Sequence, residues 1–417
     1  MRISRMFALA VSLALALSLA LPAAAAEESD WLLPPVKDAP AFSDTAGVWC
    51  ELEVAVVYQA GLMQGQSETQ FSPSGTWMPE HVVAVCARLY SLLTGGDGVI
   101  SEAAEGEAWY QPYYDYLAQA LSYEGGADGL MKNFRAGKSP AKRWDFVKLL
   151  HETLEAAEVE LPAINAVTVV PDTADPDILD FYNAGILTGS DEYGTFRSND
   201  TINRGQAAAI LARLVDPALR QKLTLKSFDL CTDVLALEAD SQAIAITYGD
   251  AARELSMDIV APTLCEKLLE QYNRMLCDGV GANWLDQVLP DTIESLKKDV
   301  AIDVLAQHQG ITVTEEELIQ EYGGPVVSGY RGMSEAAQVW ENTHNLLYSK
   351  LHQRYNETYG AEVVAPSPGA PSVGGEHLES DLQKLMDQMT AQVSPELSQL
   401  DLAAAQTRYV QSPIYSA

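Results

Sequence analysis

The chain has 417 residues, 47% of them apolar and 20% charged, a globular composition long enough for more than one domain. Lysine and arginine number 26 against 58 aspartates and glutamates, a net charge of −32. A surface of that sign repels nucleic acid and anionic membrane at long range, and it would hold an anionic wall polymer only through a local pocket.

Residues 1–26 read as an export signal. Arg2 and Arg5 give a positive start, "MFALAVSLALALSLAL" is the apolar core, and "PAAAA" ends in small residues suited to cleavage after Ala26. No later stretch is apolar enough to span a membrane, so the mature chain is expected outside the cell and off the membrane. The first cysteine, Cys50, lies too far downstream for lipid attachment, and the terminal "VQSPIYSA" has neither an apolar tail nor a basic end. Retention at the surface is therefore expected to need a binding domain, with free secretion as the alternative. The sparse cysteines imply no disulfide framework, and Cys50 and Cys86 read as small buried side chains rather than a pair.

Three blurred copies of one unit follow, at about 41–93, 101–157 and 164–217. The first holds "FSDTAGVWCELEVAVVYQAGLMQG", "TQFSP" and "WMPEHVVAVCARL"; the third holds "VPDTADPDILDFYNAGILTG", "YGTF" and "INRGQAAAILARL". They share Asp44/Asp172, Ala60-Gly61/Ala184-Gly185, Gly65/Gly189 and Phe71/Phe196. The second is weaker, with "WYQPYYDYLAQAL" and "SPAKRWDFVKLLHETL". Each copy reads as helix, glycine turn, loop, capped helix. In "ELEVAVVYQAGL" the residues expected to face inward are Leu52, Val56 and Tyr58. Gly61 and Gly185 stand where a helix stops in a left-handed turn. Phe71 and Phe196 are expected to anchor the loop on the helices. Asn203 with Gln206 forms a capping box, and Ala208, Leu211, Ala212 and Val215 form an apolar stripe. One helix pair cannot bury both its stripes, so the copies should pack on one another.

These stretches resemble the S-layer homology domain, a module that holds many bacterial surface proteins on the cell wall. In that family the second helix usually opens with Ile-Thr-Arg-Ala-Glu. The third copy reads Ile202-Asn203-Arg204-Gly205-Gln206 there, the second Ala141-Lys142-Arg143-Trp144-Asp145, and the first Trp77-Met78-Pro79-Glu80-His81, which has lost the arginine. The resemblance implies a mainly α fold, with three helix–loop–helix repeats in a pseudo-threefold bundle. It also implies grooves for a secondary cell-wall polysaccharide, often pyruvylated. Carried over residue by residue, Arg143 and Arg204 would meet a ligand carboxylate, for which an arginine fork is suited. Asp145 would orient the arginine or a sugar hydroxyl. Trp49 and Trp109 match an aromatic near the start of the first helix, although such tryptophans are more often core. Gly61, Gly65, Gly185 and Gly189 would let the ligand approach the backbone, although they are turn residues first. Pro79 argues that the groove of the first copy is dead.

Beyond "RLVDPALRQKL" the pattern becomes that of a separate helical domain, about 240–360. In 244–278, Leu255, Ile259, Leu264, Leu268, Tyr272 and Met275 suit a helix interrupted at Pro262. A second helix runs from about Leu285 to His308 and stops at Gly310. Thr314 caps a third, with Glu317 in the box position. A long fourth carries Trp340, Leu347, Leu351 and Tyr355 on one face. This order of helices resembles the N-terminal region of SurA/PrsA-like exported foldases, in which a parvulin domain commonly follows. Here a Pro/Gly linker (361–375) and then one amphipathic helix with a loose tail (376–417) are expected instead, too short for a parvulin domain. The resemblance thus implies a non-catalytic half that binds unfolded or surface polypeptides. Self-assembly into a surface lattice and a wall-active enzyme are the alternatives.

Catalytic signatures are thin: no nucleophile elbow, His-Glu-x-x-His, P-loop or Cys-x-x-Cys occurs, and no cofactor is expected. His344 and His352 read as surface residues. "DTADPD" (Asp172, Asp175, Asp177) reads as turn and cap chemistry rather than a calcium loop.

Overall fold

The computed structural model describes residues 31–122, 134, 139–278, 283–324, 326–363 and 370–415. The export signal, all but the ends of the second copy's "SYEGGADGLMKNF", and residues 364–369 of the linker lie outside them. The described chain is mainly helical, with one three-stranded sheet. No described helix is long and apolar enough to cross a membrane.

The repeat region holds α1 (Glu51–Gln59), α2 (Pro79–Leu93), α3 (Gln111–Ala120), α4 (Arg143–Ala156), α5 (Pro176–Asn183) and α6 (Arg204–Val215). The chain divides into two compact units that cut across the copies. One is drawn from Met1–Trp77, Val83–Leu117 and Asn203–Arg220, the other from Met78–Val82, Ala118–Ile202 and Gln221–Ala417.

In the first unit α1 packs against α6, so the first helix of copy one meets the second helix of copy three. Ala208, Leu211, Ala212 and Val215 are buried as expected. On α1 the buried residues are Val54, Val56 and Val57, while Leu52 is 57% exposed. Of the residues expected inward Val56 is buried and Tyr58 half-buried, and only Leu52 turns out, because with Val54, Ala55, Val56 and Val57 in succession α1 has no single apolar face. Within the second unit α4 packs on α5, the second helix of copy two on the first of copy three. Gly61 and Gly185 take positive φ (76° and 73°), as the turn reading requires.

The helical half belongs to the second unit. It opens with a single π-helical turn, Leu230–Leu235, and a hairpin of β1 (Gln242–Tyr248) and β2 (Ala251–Ser256). Gly249, at φ 58°, begins the two-residue turn between these strands. Where the foldase resemblance placed a short strand and then the first long helix in "ITYGDAAREL", a full hairpin runs to Ser256 and the helix starts at Met257. Ile244 and Ile246 point to the core with the alternation of a half-buried strand, and the register irregularity between Gln242 and Ile244 lets Ala243 be buried as well. The helix proper, α7 (Met257–Asp278), carries Pro262 inside it without interruption. Then come α8 (Val288–Gln309), closed by Gly310 at φ 66°, and α9 (Glu315–Tyr322), opened by the Thr314/Glu317 capping box. The long α10 (Glu335–Tyr359) buries Leu347, Leu351 and Tyr355.

The C-terminal segment is no loose tail. After α11 (Val373–Met386), β3 (Thr390–Val393) pairs antiparallel with β1 to give the order β2-β1-β3. The short α12 (Pro395–Ser398) and α13 (Leu402–Gln411) follow. Leu378, Leu382, Leu397, Ala405 and Tyr409 join the same apolar core as α7, α8 and α10. That core therefore runs past the expected boundary at 360.

Candidate functional site

One local arrangement occurs twice. In the first unit the Asp44 carboxylate accepts hydrogen bonds from the backbone N–H groups of Phe71 (2.9 Å) and Ser72 (2.6 Å), and Ser72 sits at φ 60°. The start of α6 docks on this loop: Arg204 N–H donates to Gly75 O (3.1 Å) and Gly205 N–H to Pro73 O (2.8 Å). The Arg204 side chain then reaches over the buried Phe71 ring, 4.5 Å from its centre, and donates from Nε to Phe71 O (2.9 Å) and from Nη2 to Gln64 O (2.6 Å). Helix N-termini leave backbone donors unpaired, and here carbonyls of another repeat accept them. The guanidinium adds charge-assisted bonds and a cation–π contact.

The second unit repeats these contacts. Asp172 accepts from Phe196 N–H (2.8 Å) and Arg197 N–H (2.6 Å), with Arg197 at φ 59°. At the start of α4, Arg143 N–H donates to Asp200 O (2.9 Å) and Trp144 N–H to Ser198 O (3.1 Å). Arg143 Nε donates to Phe196 O (2.8 Å), and its guanidinium lies 5.3 Å from the Phe196 ring centre. Phe71 and Phe196 are fully buried, as expected of loop anchors. Burial lowers the pKa of both arginines, opposed by Asp44 for Arg204 and chiefly by Tyr182 and Asp200 for Arg143. The two aspartates diverge. Burial raises the Asp172 carboxyl despite the two N–H bonds it accepts, whereas at Asp44 the equivalent bonds, with Arg204 nearby, outweigh burial and its pKa falls.

The arginines read as clamps for a ligand carboxylate thus find their planar acceptors inside the protein. Arg204 is only 9% exposed. The glycines read as a ligand's approach to the backbone face the chain itself. A Cβ on Gly185 would lie 2.6 Å from Gln221 O, one on Gly189 2.3 Å from Gly194 Cα, and one on Gly65 2.4 Å from the Phe42 ring. On Gly61 it would meet Val36 at 3.2 Å. Trp49 and Trp109, for which core burial was the commoner expectation, are 63% and 47% exposed, and the buried indole is Trp77. Trp109 stands edge-on to Tyr110 and Tyr113. Cys50 and Cys86 are buried and unbridged. "DTADPD" does form caps: Asp172 closes the loop, and Asp175 accepts from Asp177 N–H at the start of α5. Lys148 bridges Asp175 and Asp177.

Beside the Arg143 dock lies a cleft of about 570 Å³, lined by Lys142, Trp144, Asp145, Asp172, Thr173, Ser198 and Asn199. Asp145 occupies the first turn of α4, and burial raises its carboxyl, with Lys142 opposing. Lys142 Nζ donates to Asn199 Oδ1 (3.0 Å). An indole wall, an ammonium, carboxylates and hydroxyls in one cleft can stack on a sugar ring and hydrogen-bond its hydroxyls. Sequence reasoning named Asp145 but gave Lys142 and Trp144 no role. The available signal was Trp144 itself, a large aromatic where the family motif has alanine.

These helix–loop–helix units, docked through a motif arginine, define a repeat module. The S-layer homology domain family matches residues 41–76, which hold Asp44, α1 and the Phe71 loop. That domain anchors secreted proteins to a cell-wall polymer, so it marks this chain as a cell-surface protein. No curated protein and no solved structure matches the chain. The foldase resemblance of the helical half rests on helix order alone.

Proposed function

We propose that the chain is exported and held on the wall by three S-layer homology repeats. The partner is a secondary cell-wall polysaccharide of the pyruvylated kind, and the helical half is a non-catalytic polypeptide-binding domain. The observation that carries the wall reading is the recurrence of one arginine–phenylalanine dock in copies that pair 2 with 3 and 3 with 1. Glycan contact is assigned to the cleft of Trp144, Asp145 and Lys142, with Arg143 as its positioning residue and the exposed Trp49 and Trp109 as further aromatic platforms. A ligand carboxylate is favoured there by Lys142 and by the positive end of α4.

The non-catalytic reading draws on the one Ser–His approach found among the described residues. Ser372 Oγ lies 3.4 Å from His352 Nε2, but it already donates to Asn356 Oδ1 (2.6 Å). The Asn356 amide faces His352 Nδ1 at 3.2 Å. This leaves the ring proton on Nε2, where it cannot act as a base toward Ser372.

Purified wall sacculi test the anchoring. The intact mature chain is expected to sediment with them and to stay in solution once the secondary polymer is stripped. Equal binding to stripped sacculi would overturn the reading. The helical half is expected to delay aggregation of an unfolded test protein without accelerating Xaa-Pro isomerisation; measured isomerase activity would sink the non-catalytic part.

A further inference from the structure

The helical half contains a cavity of about 490 Å³. Pro262 and Leu269 of α7, Ala337 and Trp340 of α10, and Tyr409 and Ile414 near the C-terminus supply an apolar lining. Its charged groups are Glu266, Asp299, Glu341, Arg331 and His344.

His344, expected at the surface, is 5% exposed. Its Nδ1 lies 2.7 Å from Trp340 O and its Nε2 3.2 Å from Asp303 Oδ1. The Trp340 carbonyl can only accept, so Nδ1 carries a proton, while Nε2 faces the Asp303 carboxylate without an aligned hydrogen bond. Asp299 accepts one hydrogen bond, from Trp340 Nε1 (3.0 Å). Within the lining three carboxylates (Glu266, Asp299, Glu341) face one guanidinium (Arg331) and the His344 ring above an apolar floor. Asp299 is half-buried, with His344 and Lys298 the positive groups near it, and a further cation on an aliphatic stem would satisfy both the excess of carboxylates and the apolar floor. The donors do not form a group able to hold a metal ion among the described residues.

We propose that this cavity binds lysine- or arginine-bearing apolar segments of a partner polypeptide, with the cationic head at Asp299 and Glu341 and the stem along Trp340 and Pro262. This rests on the reading of the helical half as a polypeptide-binding domain and gives it a site and a preference. Asp258, Lys267 and Arg253 lie outside the lining, and Arg253 packs over the Trp340 ring at 5.2 Å without entering it.

The test uses the intact mature chain and fluorescently labelled peptides alternating leucine with lysine, glutamate or serine. The lysine peptide is expected to bind and the other two are not. Asp299→Asn, which keeps an acceptor for Trp340, and Glu341→Gln should each weaken binding about fivefold. Thr263→Trp, which fills the cavity without changing charge, should weaken it at least as much. The double variant Glu316→Gln/Glu321→Gln, on α9 outside the cavity, should leave it unchanged. Unchanged melting temperatures establish that the variants fold. Equal loss in the α9 control would assign the binding to bulk charge and overturn the site, as would equal binding of the serine peptide or no binding of the lysine peptide. A wild-type chain that fails to delay aggregation sinks the broader reading. A delay that persists unaltered in Asp299→Asn and Thr263→Trp sinks the cavity alone.

Discussion

The Arg204 and Arg143 docks share a backbone plan down to the residue that enters the left-handed region, and they differ at the next position along the helix. After Arg204 comes Gly205, where a Cβ would stand 3.1 Å from Cys50 Sγ and 3.1 Å from Pro73 O. After Arg143 comes Trp144, half-exposed and lining a cleft. One dock is closed over its loop, and the other opens beside it. The arginine, phenylalanine and aspartate therefore serve the joining of one repeat to the next. The proposed glycan contact depends on what stands beside them, Trp144 and its cleft at one dock and Gly205 at the other.

The largest effect should come from the anchors that both docks require. Phe71→Ala or Phe196→Ala removes a fully buried ring and is expected to cost about 3–5 kcal/mol in denaturant unfolding. A cost much smaller at one site would break the equivalence. The arginines should rank next, unequally. Arg204→Ala orphans two carbonyls and should cost about 2–3 kcal/mol, while Arg143→Ala orphans one and should cost about 1–2 kcal/mol. Reversed order would show that the cleft side carries more of the docking than its hydrogen bonds suggest.

Binding sharpens the contrast. Trp144→Ala is expected to weaken wall binding about tenfold, roughly 1.4 kcal/mol, with little change in melting, and Asp145→Asn to weaken it less. Gly205→Ala should do the opposite, lowering stability by about 1 kcal/mol through crowding at Cys50 while leaving binding to the Trp144 cleft intact. Sacculus titration beside thermal melts separates the two patterns.

Acid titration should show the smallest difference, with opposite signs. Asp44 has its pKa below the ordinary 3.8, so its contribution is present above that value and is lost as pH falls through the lower folded value. Asp172 has its pKa above 3.8, so the folded state binds its proton first and gains stability as pH falls from that raised value toward 3.8. Unfolding followed from about pH 6 to about pH 3 should show that Asp44→Asn removes a loss on acidification and Asp172→Asn removes a gain. Parallel curves for the two variants would contradict the opposite shifts of the two caps.

Much of the fold was legible from local chemistry. The glycine stops at Gly61, Gly185 and Gly310, the capping boxes at Asn203/Gln206 and Thr314/Glu317, the α6 stripe and the Phe71 and Phe196 anchors all stand where their residues indicated. The glycine stops and capping boxes depend on backbone angles or hydrogen bonds within a turn or two, and the stripe and anchors are residues apolar enough to be buried wherever the neighbours arrive. The failures share a different cause. Leu52 turned outward because α1 has no single apolar face. Residues 251–256 paired as a second strand, where only one short strand before the helix was expected, because pairing across the Gly249 turn is decided by the sheet. The supposed tail became structure because β3 found an edge on β1.

The sequence by itself determined that the chain is mainly helical, where several of its helices are capped and stopped, and which residues anchor its loops. Only the tertiary structure decided what those residues meet. Arg204 binds the carbonyl of Phe71, 133 positions earlier in the chain, and Arg143 that of Phe196, 53 positions later. A motif names a side chain and the turn it occupies, but the acceptor for its donors is chosen by which backbone arrives beside it on folding. Until the loops of other repeats had been placed against α4 and α6, an arginine suited to a ligand's carboxylate and one suited to a neighbouring carbonyl were the same residue.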